Sequence, residues 1–500
     1  MFQNLTSALA KPYAGFIYRN IKKGMVTAVA DQFRQLENLI QKAQKTQFGK
    51  NHSFHQISSH SDFIQAVPLR DYEQLKPYIE QIKAGQPNVL WKGKPLYFAK
   101  TSGTTSGIKY IPITKDSISN HINGARNAIL CYIAETGKSA FANGKMIFLS
   151  GSPELERVGG IPTGRLSGIV NHHVPAYLRS NQLPSFQTNC IEDWETKLDK
   201  IVAETIHQPM SLISGIPPWM QMYFDRLQEK SGKKIGDLFP EFQLMIQGGV
   251  NFAPYQQKLF ESIGRPVDII ELYPASEGFF AFQDSQHHPG LLLNTNSGIF
   301  YEFIPIADIG KEKPTRLPLE QVELGVQYAI VISSNAGLWG YIVGDTVKFV
   351  SLQPYRLIVT GRIKHFISAF GEHVIGEEVE KAMDIAIKNS GARITEFTVA
   401  PFISSTSGKS YHEWLIEFEQ EPANFSQFIH TLDSAMRDLN VYYDDLISGN
   451  ILDTLHISRI RKNGFIDYMK KEGKLGGQNK VPRLSNQREL ADALQPFIIV

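Results

Sequence analysis

The sequence predicts an α/β protein with a large N-terminal domain and a small α+β C-terminal domain. From residue 146 onward, short apolar runs alternate with longer amphipathic stretches, and this alternation is typical of strands layered with helices. The pattern changes near residue 360, where a strand-like run is followed by an amphipathic helix and two further strand-like runs. A chain of 500 residues is also long enough for more than one domain. We therefore predict domains at residues 1–360 and 361–500.

The individual elements follow from the spacing of apolar side chains. Apolar residues recur at helical spacing from residue 13 to about 46, in the segment before Pro68, in 72–83 and, in the second domain, in 377–387. The predicted strands are the runs at 146–149, 210–213, 244–246, 267–272, 328–332, 357–359, 396–400 and 413–418. Because nucleotides bind at the strand ends of such α/β layers, motifs that follow these runs are candidates for a site.

Composition excludes several classes of protein. The formal net charge of +2 gives no general attraction to nucleic acid or to an anionic membrane. The two cysteines, Cys131 and Cys190, are too few for a disulfide framework and lack the spacing of metal ligands. No window approaches the roughly twenty apolar residues of a membrane span, and the first residues lack the pattern of a signal peptide. We therefore expect a cytoplasmic protein, a monomer or weak homo-oligomer, that binds neither nucleic acid nor membrane.

The segment at residues 101–109 has the composition of a phosphate-binding loop. It reads Thr-Ser-Gly-Thr-Thr-Ser-Gly-Ile-Lys and follows a short apolar run. Glycines allow consecutive backbone N–H groups to surround an anion, and hydroxyls and lysine add donors for phosphate oxygens. The segment is not the usual P-loop, because the spacing of its glycines is shorter and Ile108 precedes Lys109. A flexible linker is the alternative interpretation.

A carboxylate follows the predicted strand at 267–272. The sequence over residues 273–278 is Tyr-Pro-Ala-Ser-Glu-Gly, and a carboxylate beside a hydroxyl at a strand end suits Mg²⁺ that bridges to phosphate. Tyr273 offers a flat face for an adenine ring. The alternative is a turn with a solvated glutamate.

Three further motifs in the last third of the chain carry charged side chains. Asp345 ends a glycine-bounded turn at 340–346 and is placed to accept both ribose hydroxyls. Arg362 has a planar guanidinium suited to phosphate or ribose oxygens, and Lys364 beside it is a candidate hinge residue. Lys480 lies in a glycine-flanked loop and can bring positive charge to a transferring phosphoryl group. In isolation, a β-turn aspartate, a surface hairpin and a surface loop explain these motifs better.

The order of these motifs along the chain is more specific than any one of them. A phosphate loop, Tyr-x-x-Ser-Glu, Gly-Asp, Gly-Arg and a late loop lysine resemble, in that order, the adenylate-forming enzymes. Val-Gly-Asp at 343–345, Gln-Asn-Lys-Val-Pro-Arg at 478–483 and the stretch at 62–79 point to one branch. The chain resembles the Gretchen Hagen three acyl-acid amido synthetases over nearly its whole length.

This resemblance implies a fold, an activity and a set of site residues. The implied fold adds a β-barrel element to the large domain and makes the small domain mobile. The implied reaction uses ATP and Mg²⁺ to adenylate a small carboxylic acid and then transfers the acyl group to the amine of an amino acid. The implied residues hold phosphates (Thr101, Ser102, Gly103, Thr104, Thr105 and Lys109), contact the nucleotide (Tyr273 and Ser276), coordinate Mg²⁺ (Glu277), hold the ribose (Asp345), neutralise phosphate (Arg362 or Lys364) and stabilise charge in the first half-reaction (Lys480).

The chain also departs from the plant members of that family. Thr101 stands where they have serine, Ile342 where they have arginine, and Asn479 where they have tyrosine before the lysine. The chain is shorter as well, so the resemblance does not extend to the identity of the acid. Arg126 and the glycine-rich stretch at 159–165 are candidates for the acyl pocket, although a surface position explains them better. Two alternatives stay open: a ligase that forms a coenzyme A thioester, and a nucleotide-binding sensor without catalysis.

Overall fold

The computed structural model describes most of the chain as two compact units. The described residues are 2–102, 108–174, 179–191, 193–249, 252–363, 366–367, 374–402, 410–448, 452–474, 480–485 and 487–499. Unit 1 comprises Met1–Val343 and Val347–Ile358, and unit 2 comprises Gly344–Thr346 and Val359–Val500. A mixed α/β architecture with a larger first unit and a smaller second unit confirms the predicted fold class. The assignment of residues 1–360 and 361–500 to two domains with separate functions stays a prediction.

The described helices include every helix that apolar periodicity predicts. In unit 1 they are Phe2–Ala43, Gln47–Asn51, His60–Ala66, Tyr72–Lys83, Ile118–Thr136, Leu166–Asn171, Phe186–Asn189, Trp194–Thr205, Pro217–Ser231, Ile235–Leu238 and Ala253–Ile263. In unit 2 they are Gly376–Ser390, Phe425–Leu439, Val441–Ser448, Gly464–Lys471 and Glu489–Leu494. Local caps set some of these limits: Asp71 accepts a hydrogen bond from the backbone of Gln74 and begins the helix Tyr72–Lys83.

The described strands likewise include each predicted run. Those of unit 1 are β1 (Tyr97–Ser102), β2 (Ile108–Ile113), β3 (Lys145–Phe148), β4 (Glu156–Val158), β5 (Ile161–Gly164), β6 (Gln182–Leu183), β7 (Met210–Gly215), β8 (Leu244–Gly248), β9 (Asp268–Ala275), β10 (Gly278–Phe282), β11 (Leu291–Leu293), β12 (Ile299–Pro305), β13 (Leu317–Pro318) and β14 (Gln327–Ser334). Strands β15 (Tyr341–Leu352) and β16 (Tyr355–Arg362) contribute residues to both units. Unit 2 adds β17 (Phe366–Ile367), β18 (Val374–Ile375), β19 (Arg393–Phe402), β20 (Tyr411–Gln420) and β21 (His456–Ile460).

Twelve of the described strands form one sheet. Their order is β13-β12-β14-β15-β16-β11-β10-β9-β8-β7-β3-β6. Strands β9, β8, β7, β3 and β6 run parallel, whereas β10 pairs with β9 in the antiparallel sense. The carboxyl ends of the parallel strands therefore share one edge of the sheet, which is where α/β proteins place their ligands. This strand order does not by itself demonstrate a β-barrel element, which stays a prediction.

Two smaller sheets complete the layers of the described residues that bear on the site. In unit 1, β2-β1-β5-β4 form a four-stranded sheet. In unit 2, β19-β20-β21 form a three-stranded sheet whose core side chains, among them Phe397 and Trp414, pack with Met383 and Phe428 of two helices. No helix in the described part of the chain has an apolar stretch long enough to cross a membrane.

The helix Ile118–Thr136 is fixed against the beginning of β10. Asn120 Nδ2 donates to the carbonyl oxygen of Phe279 at 3.2 Å, and Asn120 Oδ1 accepts from the backbone N–H of Phe279 at 2.7 Å. A Cβ atom at Gly124 would lie 2.2 Å from the Phe279 ring. Glycine at position 124 therefore lets the helix approach, and the contact positions the turn between β9 and β10.

Replacing Gly124 with alanine should reduce the free energy of unfolding by about 1–3 kcal/mol, because the added methyl group overpacks the contact with Phe279. Gly24→Ala is the matched control, since Gly24 is also helical and nothing lies within 4 Å of its Cβ position. The control should be neutral or stabilising by up to about 1 kcal/mol. Denaturant unfolding followed by tryptophan fluorescence measures both. Equal stability of the two variants would contradict the packing argument.

Candidate active site

Ser276 and Glu277 form a two-residue turn between the antiparallel strands β9 and β10. Ser276 is buried and Glu277 is half-buried. The Tyr341 hydroxyl donates to Glu277 Oε1 at 3.4 Å. Burial and the adjacent Glu277 raise the pKa of Tyr341 well above its usual range, so this hydroxyl keeps its proton and can donate. Sequence reasoning missed Tyr341 as a site residue, although it belongs to the same motif as Asp345.

Strand β9 continues beyond its predicted end at residue 272. Pairing with β10 extends it to Ala275, so Tyr273 lies inside the strand and not after it. Its side chain is buried, and its ring meets the edge of Phe280 with ring centroids 5.1 Å apart. The packing of Tyr273 in the core explains the residue type without a ligand. Its contact with a nucleotide stays a prediction.

The predicted phosphate loop joins two antiparallel strands. Thr101 of β1 pairs with Lys109 of β2, so the loop closes a hairpin, whereas a P-loop leads from a strand into a helix. Lys109 Nζ lies 5.7 Å from the centroid of the Tyr72 ring. Four predicted phosphate-binding positions cannot be placed: Gly103, Thr104 and Thr105 lie outside the described residues, as does the side chain of Ser102.

Asp345 lies inside β15 and not in the turn that its neighbouring glycines predict. Gly340, with φ +53°, forms the turn before the strand. Gly344 has φ +95° within the strand, a conformation that side-chain-bearing residues rarely adopt, and its carbonyl oxygen accepts from Ile363 N at 2.7 Å. The prediction of a turn was wrong because the sequence does not distinguish a positive-φ glycine in a strand from a turn glycine.

Asp345 and Arg362, which the sequence assigns to separate motifs, form an ion pair. Arg362 Nε donates to Asp345 Oδ1 at 2.6 Å. The Asp345 side chain is 10% exposed and that of Arg362 is 54% exposed. The carboxylate is thus compensated inside the protein, while much of the guanidinium still faces solvent and can contact an anion.

Lys480 is close enough to this pair to respond to both charges. The residue as a whole is exposed, and its ammonium group loses part of its hydration to neighbouring protein atoms. This desolvation, together with the positive charge of Arg362, lowers the pKa of Lys480 to about 8, and Asp345 acts in the opposite direction. Residues from three separate motifs therefore lie together within unit 2. Lys364, the predicted neighbour of Arg362, lies outside the described residues.

The segment that follows Lys480 is held on strand β19. Val399 N donates to the carbonyl oxygen of Arg483 at 2.9 Å. The guanidinium of Arg483 pairs with Glu396 of the same strand and with Glu380 of the helix Gly376–Ser390. These contacts fix the backbone three residues beyond Lys480. The terminal Lys-Val-Pro-Arg sequence is thus explained by anchoring as well as by charge.

The donor set at the turn between β9 and β10 fits Mg²⁺ as a partial site. Within the described ranges, no group of three His, Cys, Asp or Glu side chains is arranged to hold a metal ion. Mg²⁺ usually keeps several waters and takes one or two carboxylates together with substrate phosphates. Glu277, whose orientation is supported by Tyr341, supplies such a carboxylate.

The weaker candidates of the acyl pocket separate in the structure. Arg126 is exposed on the helix Ile118–Thr136 and donates to Asn127 at 3.2 Å, as expected of a surface arginine. Arg165, at the end of the glycine-rich stretch, is half-buried immediately after β5. Of these two arginines, only Arg165 is partly enclosed by unit 1.

Comparison with known proteins connects this arrangement to a family. Three family descriptions match in chain order: the GH3 family N-terminal domain at residues 17–190, the GH3 family central domain at 292–362 and the GH3 family C-terminal domain at 377–489. Together they cover more than half of the chain. The chain belongs to the GH3 family. The resemblance to the Gretchen Hagen three family is therefore confirmed.

Curated relatives of this GH3 chain have low sequence identity to it but align with most of its length. Jasmonoyl--L-amino acid synthetase JAR4 of Nicotiana attenuata is 21% identical over 84% of this chain and 85% of its own length. Indole-3-acetic acid-amido synthetase GH3.10 of Arabidopsis thaliana is 21% identical over 87% of this chain and 88% of its own length. The similarity thus includes both units.

Solved structures show the same fold. AtGH3.15 acyl acid amido synthetase, in complex with 2,4-DB, superimposes with a TM-score of 0.80 at 15% identity, covering 97% of this chain and 96% of that chain. A 2-hydroxyisobutyryl-CoA ligase in the postadenylation state gives a TM-score of 0.58 at 13% identity, covering 93% and 90%. The GH3 chain therefore shares its architecture with adenylate-forming ligases.

The two neighbours of Lys480 should shift its pKa in opposite directions. Arg362→Gln removes a positive charge and should raise the pKa above about 8, whereas Asp345→Asn removes a negative charge and should lower it. The rate at which a limiting acylating reagent modifies Lys480, followed by peptide mass spectrometry across pH, measures the shift. Arg461→Gln, which breaks a surface pair with Asp467 in the same unit, is the control and should leave the pKa of Lys480 unchanged. Shifts of the same sign in both variants would disprove the cluster.

Proposed function

We propose that this GH3 family chain is an ATP-dependent ligase that adenylates a small carboxylic acid and transfers the acyl group to the amine of an amino acid. The observation that carries the proposal is the cluster of Asp345, Arg362 and Lys480 in unit 2 of a chain with all three GH3 family domains. A fold alone hosts many chemistries, so the assignment rests on the site together with the family.

The first half-reaction joins the acid to the α-phosphate. A carboxylate oxygen attacks the α-phosphorus of ATP, the bond to the bridging oxygen breaks, and pyrophosphate leaves. Negative charge develops on the phosphate oxygens, and Lys480 and Arg362 supply positive charge to stabilise it. Asp345 accepts hydrogen bonds from the ribose hydroxyls while it keeps its ion pair with Arg362. A lysine with a pKa of about 8 is still mostly protonated at neutral pH, as this role requires.

The family resemblance also assigns roles to residues of unit 1. Thr101 and Lys109, paired across the β1–β2 hairpin, donate to phosphate oxygens together with the glycine-rich loop between them. Glu277, which accepts a hydrogen bond from the Tyr341 hydroxyl, would supply a carboxylate ligand to Mg²⁺. Mg²⁺, when bound, supplies charge that offsets the phosphates.

The second half-reaction forms the amide. The neutral amine of the amino acid attacks the carbonyl carbon of the acyl-adenylate, the bond from that carbon to the phosphate oxygen breaks, and AMP leaves as the nitrogen loses a proton. The names of the curated relatives give jasmonic acid and indole-3-acetic acid as acids of those proteins. We accordingly propose a small apolar or aromatic acid for this chain.

A thioester-forming ligase is the second candidate. The fold shared with 2-hydroxyisobutyryl-CoA ligase favours testing coenzyme A as the acceptor. The two candidates share the first half-reaction and differ only in the nucleophile of the second.

Pyrophosphate release tests the proposal. The protein is incubated with ATP and Mg²⁺ and with each of a panel of aromatic, indolic and aliphatic acids, alone, with pooled amino acids, and with coenzyme A. Release that rises with amino acids and gives an amide by mass spectrometry supports the amido synthetase. Stimulation by coenzyme A instead supports the thioester ligase. ATP binding without pyrophosphate release for any acid would contradict both ligase activities. It would favour a nucleotide-binding sensor without catalysis.

Lys480→Ala should slow pyrophosphate formation by about a hundredfold or more, because it removes charge stabilisation in the transition state. ATP affinity, measured by calorimetry, should change only a few-fold. In the unchanged protein the rate should fall as pH rises through about 8, since the protonated ammonium is the active form. Lys471→Ala removes an exposed lysine of the same unit and is the matched control. Equal loss of ATP binding and pyrophosphate formation would refute the role given to Lys480.

A further inference from the structure

Unit 1 contains a second pair of cations, away from the motifs of the nucleotide site. Lys197, on the helix Trp194–Thr205, is 3% exposed, and its Nζ donates to the carbonyl oxygens of Ser150 at 2.9 Å and Asn189 at 2.7 Å. Arg165, at the N-terminal side of the helix Leu166–Asn171, is half-buried. Burial lowers the pKa of Lys197, and the positive charge of Arg165 acts in the same direction.

Within the described residues, neither cation has an anionic partner. Arg165 makes no hydrogen bond or ion pair with any residue that the structure describes, and both hydrogen bonds of Lys197 to described residues are to neutral carbonyl groups. The nearby carboxylate of Glu154 acts on the Cys190 thiol, whose pKa it raises together with burial. Burial, with Arg165 acting in the same sense and Cys190 opposing, lowers the pKa of Lys197 to about 8. Two like charges held together in a partly dehydrated interior are unfavourable unless an anion joins them.

The surroundings of Arg165 are shaped for its side chain and leave a hydroxyl unsatisfied. A Cβ atom at Gly151 would lie 2.5 Å from Arg165 Cδ and 3.5 Å from Ser167 Oγ, so a larger residue there would displace the arginine side chain. Ser167 Oγ is buried and has no hydrogen-bond partner in the described structure. A buried donor without a partner is costly, and an anion bound beside Arg165 would accept from it.

The cations lie at the edge of the sheet where ligands are expected. Ser150, which accepts from Lys197, follows the end of β3, and Glu277 follows the end of β9. The order β9-β8-β7-β3 places these ends three strand spacings apart, or about 14 Å at about 4.8 Å per strand. This separation is of the size of an acyl-adenylate, so both positions can serve one reaction.

We propose that Arg165 and Lys197 bind the α-carboxylate of the acceptor amino acid. This inference rests on the proposed function, in which two carboxylates take part. The carboxylate of the acyl acid loses its charge on adenylation, so a site of two cations would oppose that step. The α-carboxylate of the acceptor keeps its charge throughout both half-reactions, and it therefore matches a pair of cations.

The experiment compares an amino acid with its C-terminal amide. The best acceptor of the pooled amino acids and its amide, which keeps the amine but lacks the negative charge, are assayed with Arg165→Gln, Lys197→Met and the unchanged protein. In the unchanged protein kcat/KM should be about ten- to a hundredfold higher for the amino acid, with its free α-carboxylate, than for its amide. Arg165→Gln should lower kcat/KM for the acid to near the value for the amide and leave the amide value unchanged.

Two readouts separate this inference from the proposed function. Exchange of pyrophosphate into ATP that depends on the acyl acid reports the first half-reaction alone. Its rate should be the same in Arg165→Gln as in the unchanged protein. Lys200→Gln, one turn along the helix from Lys197 and exposed, is the matched control and should keep the preference for the acid. Thermal unfolding identifies a variant that has lost its fold. If Lys197→Met does not fold, Arg165→Gln alone provides the test.

A preference for the acid that persists unchanged in Arg165→Gln, with normal exchange, would overturn the carboxylate site and leave the ligase assignment intact. Absence of exchange in the unchanged protein would overturn the ligase assignment itself. Calorimetric titration of the amino acid and of its amide onto the protein gives a reading that does not depend on turnover, and loss of the difference in Arg165→Gln is the expected result.

Discussion

The ion pair between Asp345 and Arg362 is the interaction on which the candidate site depends. It joins the middle of β15 to the end of β16 within unit 2, and it compensates the charge of a mostly buried carboxylate. Because the Arg362 side chain is 54% exposed, its guanidinium can still contact an anion while it is paired with Asp345. Desolvation lowers the pKa of Lys480, the residue assigned to the first half-reaction, and the two charges of the pair modify that pKa in opposite directions.

Buried charges elsewhere in unit 1 show what a structural pair looks like in this protein. Glu302 is fully buried, and it accepts from Arg316 Nε at 2.9 Å and is in contact with His60 at 2.9 Å. That network satisfies its charges within the chain and leaves none for a ligand. Lys197 and Lys480 differ from it, because burial, together with a neighbouring arginine, lowers the pKa of each to about 8. Shifted lysines of this kind are typical of functional sites.

The sequence predicts the elements well because apolar periodicity is a local signal. The helix Tyr72–Lys83 and the strand β7 begin where that pattern begins. The order of motifs identifies the family for a similar reason, since each motif is contiguous. Pairings between distant residues are not local, so the contact of Arg362 with Asp345 and the approach of Arg165 to Lys197 could not be read from spacing. Two local errors, at Tyr273 and Asp345, arise where strand pairing continues through a proline or a glycine.

The most direct test of the central claim follows an oxygen atom. The acid that supports pyrophosphate release is labelled with ¹⁸O in both carboxylate oxygens and is converted to amide with an amino acid, and the AMP is analysed by mass spectrometry. If the carboxylate attacks the α-phosphorus and the amine later breaks the carbonyl carbon–oxygen bond, each AMP carries one ¹⁸O atom and the amide retains the other. AMP without the label, or label in inorganic phosphate, would contradict an acyl-adenylate and the roles given to Lys480 and Arg362.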